Sequence, residues 1–435
     1  MSDYMFMLES HLSADQNRVV AAVQAKAADA GVNLFLAGGA MRDMLGGFRL
    51  RDLDFVVEGN AVKIARSIPE TRVVSIDENR RSAELIFPGG VPAQIAMART
   101  ERYSRPGAKP QVASATIQED LRCRDFTIDA IALSLARASR GLLLDPMNGL
   151  ADLQNRELRT VTPYVFYDDP SRLLRFVRLR TRLGFEPEPR TAGQYANARE
   201  QKLESYIGPR LLGEELQQIA AETNPAEVME ALGREGLATL FSPELEGPKL
   251  NLAGLAKLEK LRRLLPPGAE PGFDTLAPFL WALTEKMPPK EKQALVARTA
   301  LAKPEADAWL KLPAHSRKLE TALKSPTLRR PSQVYQAVAH AGGDQVVFLL
   351  YHSESKTVQD RLRNYLQKYL PTALEVQDSE VQSSDPPGSP KFLKAKEDLI
   401  AKRLNARPKP PEPEPVPPPP PPPDAPRPLR RELRR

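Results

Sequence analysis

The stretch Val32–Gly59, VNLFLAGGAMRDMLGGFRLRDLDFVVEG, decides the fold. VNLFLAGG reads as a short apolar strand, AMRDMLG as a small helix and DLDFVVEG as a second strand. Gly38 and Gly39 stand where the first strand turns into the helix. Two glycines let the backbone approach a ligand closely, and the free N–H groups that open the helix suit a phosphate, with Arg42 beside them. Taken alone, a Gly-Gly turn after a strand is more often simply a tight turn. Asp52 and Asp54 lie two apart, so in a strand they project to one face while Leu53 and Phe55 enter the core. Two adjacent carboxylates repel unless they are solvated or bridged by a cation. Mg²⁺, a hard ion bound by oxygens, is the natural bridge; an edge strand with a solvated polar face is the other reading.

Working outward, residues 13–30, SADQNRVVAAVQAKAADA, place Val19, Val20, Val23 and Ala27 at helical spacing and stop at Gly31. Beyond Gly59 the runs RVVSI, SAELIF and VPAQIAMA are strand-like. Arg99–Thr116, RTERYSRPGAKPQVASAT, is polar, basic and punctuated by Pro106, Gly107 and Pro110, which predicts a mobile loop over a site. From Asp168 onward DPSRLLRFVRLRTRLGF, PRLLGEELQQIAAET and PAEVMEALGREGL each carry apolar residues three and four apart, and residues 250–375 continue in that style with basic faces. An amphipathic piece, FLKAKEDLIAKRL, precedes Leu404–Arg435, where 14 prolines include the run Pro417–Pro423. That tail predicts extended polyproline II or disorder, serving either as a ligand for a proline-recognising domain or as a solvated linker.

Composition narrows the function. The 435 residues, 41% apolar, suffice for two to four units with real cores. Lys and Arg number 62 against 55 Asp and Glu, a balance of +7 that favours a polyanionic partner, nucleic acid first. The single cysteine, Cys123, excludes an intramolecular disulfide framework and a Cys-rich zinc site, and fits a reducing, cytoplasmic setting. No window approaches the roughly 20 apolar residues of a membrane span, which predicts a soluble protein. The histidines His11, His315, His340 and His352 are scattered without a His-Asp pair, against a metal-dependent phosphohydrolase unit.

Three further segments complete an ordered set with GGAMRD and DLDFVV: EDLRCRDFTIDA (119–130), LLLDPMNGLADLQNRELRTV (142–161) and DDPSRLLRF (168–176). In that order and spacing the chain resembles the class II tRNA nucleotidyltransferase (CCA-adding enzyme) and bacterial poly(A) polymerase family, in the polymerase β nucleotidyltransferase superfamily, from about Asn33 to Gly208. The resemblance implies an α+β protein: an N-terminal helix (1–30), a catalytic head with a small mixed sheet (31–150), an all-α neck with a base-selecting motif (151–240), a helical tRNA-binding body (241–375), and a linker with the disordered Pro-rich tail (376–435). It implies that Asp52 and Asp54 bind two catalytic Mg²⁺ ions. It places Gly38, Gly39 and Arg42 at the incoming nucleoside triphosphate, Arg124 and Asp125 at triphosphate and ribose, Asp169 and Arg172 at the base, and Arg175 as a further nucleotide contact. Three positions depart from the family pattern: Cys123 stands where an arginine is usual, Asp129 where asparagine is usual, and Gln94 where a carboxylate is often found.

Base selection also follows from the side chains. Three residues apart on a helix, Asp169 and Arg172 present an acceptor beside a donor. Cytosine and adenine offer an amino donor next to a ring-nitrogen acceptor, whereas uracil and guanine offer the reverse. A mismatch leaves buried groups unpaired at about 1–3 kcal/mol each, so the pair accepts CTP and ATP and refuses UTP and GTP. The expected function is template-independent addition of CMP and AMP, as CCA, to the tRNA 3′ end; in this family the Arg99–Thr116 region assists the switch from C to A. Poly(A) polymerase is the neighbouring alternative, and a noncatalytic RNA-binding protein the alternative of another class. Neither motif nor composition sets an oligomeric state.

Overall fold

The computed structural model describes residues 3–48, 50–266, 275–382 and 385–406. Two helices come first, α1 (Asp3–His11) and α2 (Ala14–Asp29), so the single predicted N-terminal helix is preceded by another. Ser13 starts α2: its hydroxyl accepts from the Gln16 N–H, while the Gln16 side chain accepts from the Ser13 N–H. Val19, Val20, Val23 and Ala27 are buried, as their spacing requires.

The quoted stretch forms β1 (Leu34–Ala37), α3 (Gly39–Leu45) and β2 (Leu53–Val57). After α4 (Ala61–Ser67) come β3 (Arg72–Asp77), β4 (Ser82–Ile86) and β5 (Pro92–Met97), then the pair β6 (Arg99–Arg102) and β7 (Gln111–Ser114), α5 (Ile117–Arg122), β8 (Ala132–Ser134) and β9 (Leu143–Leu144). Seven strands make one mixed sheet in the order β3-β4-β5-β2-β1-β8-β9. β2 and β5 are its parallel neighbours, and their register sets Asp54 opposite Gln94.

Both faces of the sheet centre are covered. Leu34, Leu36, Leu53, Phe55 and Val57 enter the large core, whereas Phe35, Ala37 and Val56 meet Ile117 and Leu121 of α5 in a smaller one. Asp54 shares the second face, at the point where that apolar cover ends. This is why a strand buried on both sides still opens a carboxylate to a cleft.

The reading of Arg99–Thr116 as a mobile loop needs correction. Glu101 pairs with Val112 and Thr100 with Ala113, so the segment is a β-hairpin closed by the Pro106–Gly107 turn. Pro and Gly mark its tip rather than its whole length. The tip is seated: Gly107 has φ +67, and a Cβ there would lie 2.4 Å from the Tyr206 carbonyl oxygen.

The second half is helical: α6 (Gly149–Asn155), α7 (Val165–Asp168), α8 (Arg172–Leu183), α9 (Pro189–Glu200), α10 (Pro209–Ala221) and α11 (Pro225–Arg234), then further helices from Leu252 onward. The C-terminal amphipathic piece is the helix Pro390–Asn405, and it docks, burying Ile400 with Ala373 and Val376, while Phe392 is buried near its start. The expected disorder of the Pro-rich tail falls, from residue 407 on, outside the described residues. Among the described residues no helix is long and apolar enough to cross a membrane.

Gly107→Ala tests the seated hairpin. The new methyl meets backbone at a position of positive φ, so the tip lifts, and proteinase K, which has little sequence preference, is expected to cut between Tyr103 and Lys109 several-fold faster in the variant. Equal cleavage rates would mean that the tip is not held there.

Candidate active site

The cleft between sheet and helices has a volume of about 460 Å³. Gly38, Gly39, Arg42, Asp52, Asp54, Arg124, Asp125, Asp169, Arg172 and Arg175 all line it, so the ten residues singled out from sequence are brought together.

Gly38 caps α3 with φ 68 and ψ −133, and a Cβ there would stand 2.7 Å from Nη1 of Arg124. Only glycine leaves the guanidinium its place. At Gly39 a Cβ would come within 3.3 Å of both Arg42 Nη2 and Asp54 Oδ2, so this turn brings backbone, arginine and carboxylate to one point.

Asp52 opens to the cleft just before β2, with Asp54 beside it. Crowding by protein pushes the Asp52 carboxyl above its ordinary range, against the pull of Arg51. Burial, then the neighbouring Asp52 charge, pushes Asp54 up to about 6. Among the described residues neither carboxylate has an ion-pair partner, while Arg42, Arg124 and Arg175 each have one. A pair of carboxylates held together without a counter-cation fits a hard divalent ion. Among the described residues no group of three or more His, Cys, Asp or Glu side chains could hold a metal, so an ion bound between the two aspartates would have to take its other ligands from phosphate oxygens and water.

The arginines are bound by carboxylates. Arg42, 3% exposed, donates to Asp129 Oδ1 at 2.6 Å and to Asp43 Oδ1 at 2.9 Å. Arg124 donates to Asp120 Oδ2 at 2.9 Å. Arg175 reaches Asp125 Oδ2 at 2.7 Å and Asp129 Oδ2 at 3.0 Å. Burial alone would lift the Asp129 carboxyl, but Arg42, Arg175 and Arg124 outweigh it and hold it well below the ordinary range.

Asp169 and Arg172 adjoin as expected, but not on one helix face. Asp169 has φ −133 and ψ 96, in the break between α7 and α8, because Pro170 disfavours helical geometry for the residue before it. The helix therefore begins at Arg172 and not at Asp168. Asp169 Oδ1 accepts from the Ser171 N–H at 3.0 Å and from its hydroxyl at 2.6 Å, which fixes the carboxylate at the start of α8.

Sequence reading missed the support of Arg172. The Tyr103 ring from the hairpin lies under its guanidinium, 5.9 Å from the centroid, and Tyr103 donates to Glu101 Oε2 at 2.6 Å. Arg99 and Arg80 reach Glu101 Oε1 at 2.8 and 3.3 Å. Burial alone would raise the Glu101 carboxyl, yet Arg99, Arg80 and the Tyr103 hydroxyl hold it down to about 2. The alternation R-T-E-R-Y in a strand pair was the available signal, hidden by reading the segment as loop. Also missed was a second tier, in which Arg178 reaches Glu215 at 3.0 Å and Glu222 at 2.9 Å, and Arg182 reaches Asp43 at 2.6 Å.

A mixed sheet bearing two carboxylates without a counter-ion among the described residues, beside a Gly-Gly turn and a rank of arginines, has the chemistry to receive a polyphosphate with a divalent cation. Residues 34–159 match the Poly A polymerase head domain. A CC-adding tRNA nucleotidyltransferase of Deinococcus radiodurans is 34% identical over 281 residues, 62% of this chain and 70% of that protein. An A-adding tRNA nucleotidyltransferase of Geobacter sulfurreducens is 24% identical over 385 residues, 86% of this chain and 43% of that protein. A solved apo structure of a CCA-adding enzyme aligns over 94% of this chain and 96% of its own, with 25% identity and a TM-score of 0.52. The chain belongs to the class II tRNA nucleotidyltransferase family, whose members are metal-dependent. It spans about half or less of the length of the A-adding relatives it matches.

Glu101→Gln tests the hairpin's hold on the cleft. A carboxyl held below its ordinary 4.5 stabilises the fold above pH 4.5 and loses that contribution as pH falls toward 2. The variant is expected to be less stable by about 1–3 kcal/mol at pH 7 in urea unfolding, with the gap to the parent shrinking at pH 3. A constant gap at both pH values would deny Glu101 this role.

Proposed function

We propose that the protein adds CMP twice and then AMP to the 3′ end of tRNA lacking its terminal CCA, from CTP and ATP, without a template. The observation that carries this reading is the pair Asp52 and Asp54, free of any ion-pair partner among the described residues, in one cleft with Asp169 and Arg172.

In this reading Asp52 and Asp54 would hold two Mg²⁺ ions, which when bound would supply acidification of the primer 3′-hydroxyl and charge stabilisation for the departing pyrophosphate. The chain's own residues do the rest. The α3 N-terminus at Gly38–Gly39 receives phosphate oxygens, with Arg42 and Arg124 behind it. Arg175 and Asp125 bound the sugar side. Asp169, fixed by Ser171, and Arg172, backed by Tyr103, face the Watson–Crick edge of the incoming base. The 3′ oxygen attacks the α-phosphorus in line, one P–O bond forms, the bond to the β-phosphate bridge breaks, and pyrophosphate leaves. The net basic charge and the helical region after Leu252 suit a phosphate-lined tRNA stem. The relatives' names span A-adding, CC-adding and multifunctional CCA proteins, and the retained hairpin with Tyr103 at Arg172 supports the full three-step reaction.

The test is extension of tRNA lacking CCA, with Mg²⁺ and labelled nucleotides. Expected are two additions with CTP alone, three with CTP and ATP together, and none with UTP or GTP. Stopping at CC would reduce the assignment to a CC-adding enzyme, and extension only of tRNA already ending in CC would make it A-adding. A long A ladder would make the protein a poly(A) polymerase. Asp54→Ala is expected to cut transfer at least about 10³-fold, the several kcal/mol that metal ions supply, with tRNA affinity changed less than about threefold; RNA binding with no transfer in either protein would leave a noncatalytic binder. Arg172→Ala is expected to narrow the preference for CTP over UTP about tenfold or more, as one buried hydrogen-bonding group is removed, while unchanged selectivity would place base choice elsewhere.

A further inference from the structure

Three arginines of the cleft each reach a carboxylate besides Asp129: Arg42 has Asp43 at 2.9 Å, which Arg182 shares at 2.6 Å, Arg124 has Asp120 at 2.9 Å and Arg175 has Asp125 at 2.7 Å. Yet Asp129 is there as well, 2% exposed, and it touches all three. Oδ1 accepts from Arg42 at 2.6 Å, Oδ2 from Arg175 at 3.0 Å, and its backbone carbonyl from Arg124 at 3.4 Å.

A fourth buried carboxylate costs desolvation unless it is paired, and Asp129 is paired twice. What it supplies is a connection. Arg42 belongs to α3 beside the sheet, and Arg175 to α8. Arg42 and Arg175 are close enough to repel, each disfavouring the other's charge. The two oxygens of Asp129 bridge them and turn a repulsive pair into a fixed one. An amide at this position, the residue usual in the family, has one acceptor oxygen, and its NH₂ cannot accept from the second guanidinium.

We propose that Asp129 is a positioning residue for the incoming nucleoside triphosphate, a carboxylate bridge that holds Arg42 and Arg175 as one rigid cationic pair. The inference rests on the nucleotide-transfer reading above. It does not concern base choice, because Asp169 and Arg172 lie outside the bridge.

The experiment compares full-length Asp129→Ala and Asp129→Asn with the parent, measuring KM and kcat for CTP and ATP, KM for tRNA, and thermal unfolding. Asp129→Ala is expected to raise KM for both nucleotides about tenfold, the effect of weakening one charge-assisted hydrogen bond to the triphosphate. Asp129→Asn, keeping one acceptor, falls between. kcat, tRNA KM and refusal of UTP and GTP stay within about threefold. In an Arg175→Ala background Asp129→Ala adds little, since the bridge is already broken. Nucleotide KM unchanged or lowered in Asp129→Ala overturns the proposal. So does a rise matched by equal loss of tRNA affinity and earlier melting, which would mark a scaffold residue. Should the parent transfer no nucleotide, the transfer reading fails by itself; calorimetric binding of CTP with Mg²⁺ to the same variants then decides the bridge, a tenfold weakening supporting it and none overturning it.

Discussion

Buried charge has to be paired, and in this molecule that requirement joins sheet to helices. Arg175, Arg178 and Arg182 recur on α8 at intervals of three and four, so one side of the helix is cationic. Opposite them stand carboxylates from different elements: Asp125 and Asp129 from the segment after α5, Asp43 from α3, Glu215 from α10 and Glu222 just beyond it. Arg51, next to Asp52, reaches Glu222 at 3.1 Å and so ties the metal strand to the same seam. Such pairs add little net stability against an apolar alternative, but breaking one leaves a stranded charge at a cost of about 3–5 kcal/mol. Their effect is registry. A slip of α8 by one turn would mismatch several pairs together, so the distance between Asp54 and Arg172 is set by the whole seam. Beneath the ions an aromatic cluster makes the same junction, with Phe126 6.1 Å from Phe176 and 6.4 Å from Phe166. Consecutive residues divide the work: Asp125 and Arg175 face the cleft, Phe126 and Phe176 the core.

Against this background the state of Asp52 and Asp54 has meaning. The fold supplies a counter-ion to Asp43, Asp120, Asp125, Asp129, Glu215 and Glu222, yet among the described residues it gives none to the two aspartates at the cleft mouth, which face each other. Arginine was not scarce there, since Arg42 and Arg124 act on Asp54 through space without bonding it. Burial raises the Asp54 carboxyl and the Asp52 charge adds to it, a repulsion that a divalent ion would relieve.

The central fold was legible because period and punctuation agreed. Leu53 and Phe55 alternate with Asp52 and Asp54, Val19 to Ala27 follow helical spacing, and Gly38 is demanded by a positive φ and by Arg124. What stayed hidden was tertiary. Nothing local tells that Glu101 and Tyr103 sit on a hairpin, because Pro106, Gly107 and Pro110 dominate the signal. Nothing local tells that Asp169 leaves the helix to bond Ser171, although Pro170 held the hint. The partners of Arg178 lie 37 and 44 residues away and that of Arg182 lies 139 away, on other elements, and the regular period of α8 gives no sign of them.

The three departures from the family pattern read differently in three dimensions. Cys123 is half-buried near Glu101, and burial pushes its thiol up, which disfavours the thiolate. Glu101 takes Arg99 and Arg80 from the hairpin and the β3–β4 turn. Gln94 stands in register with Asp54 on one side and Glu84 on the other, so the nearest carboxylate on that row of the sheet is one strand further out, where Ser75 hydrogen-bonds it. The Asp52–Asp54 pair is therefore bounded by a neutral amide, which adds no third negative charge on that row. Asp129 returns a negative charge, but among arginines. Together the changes place negative charge among the arginines of the cleft rather than in register beside Asp54.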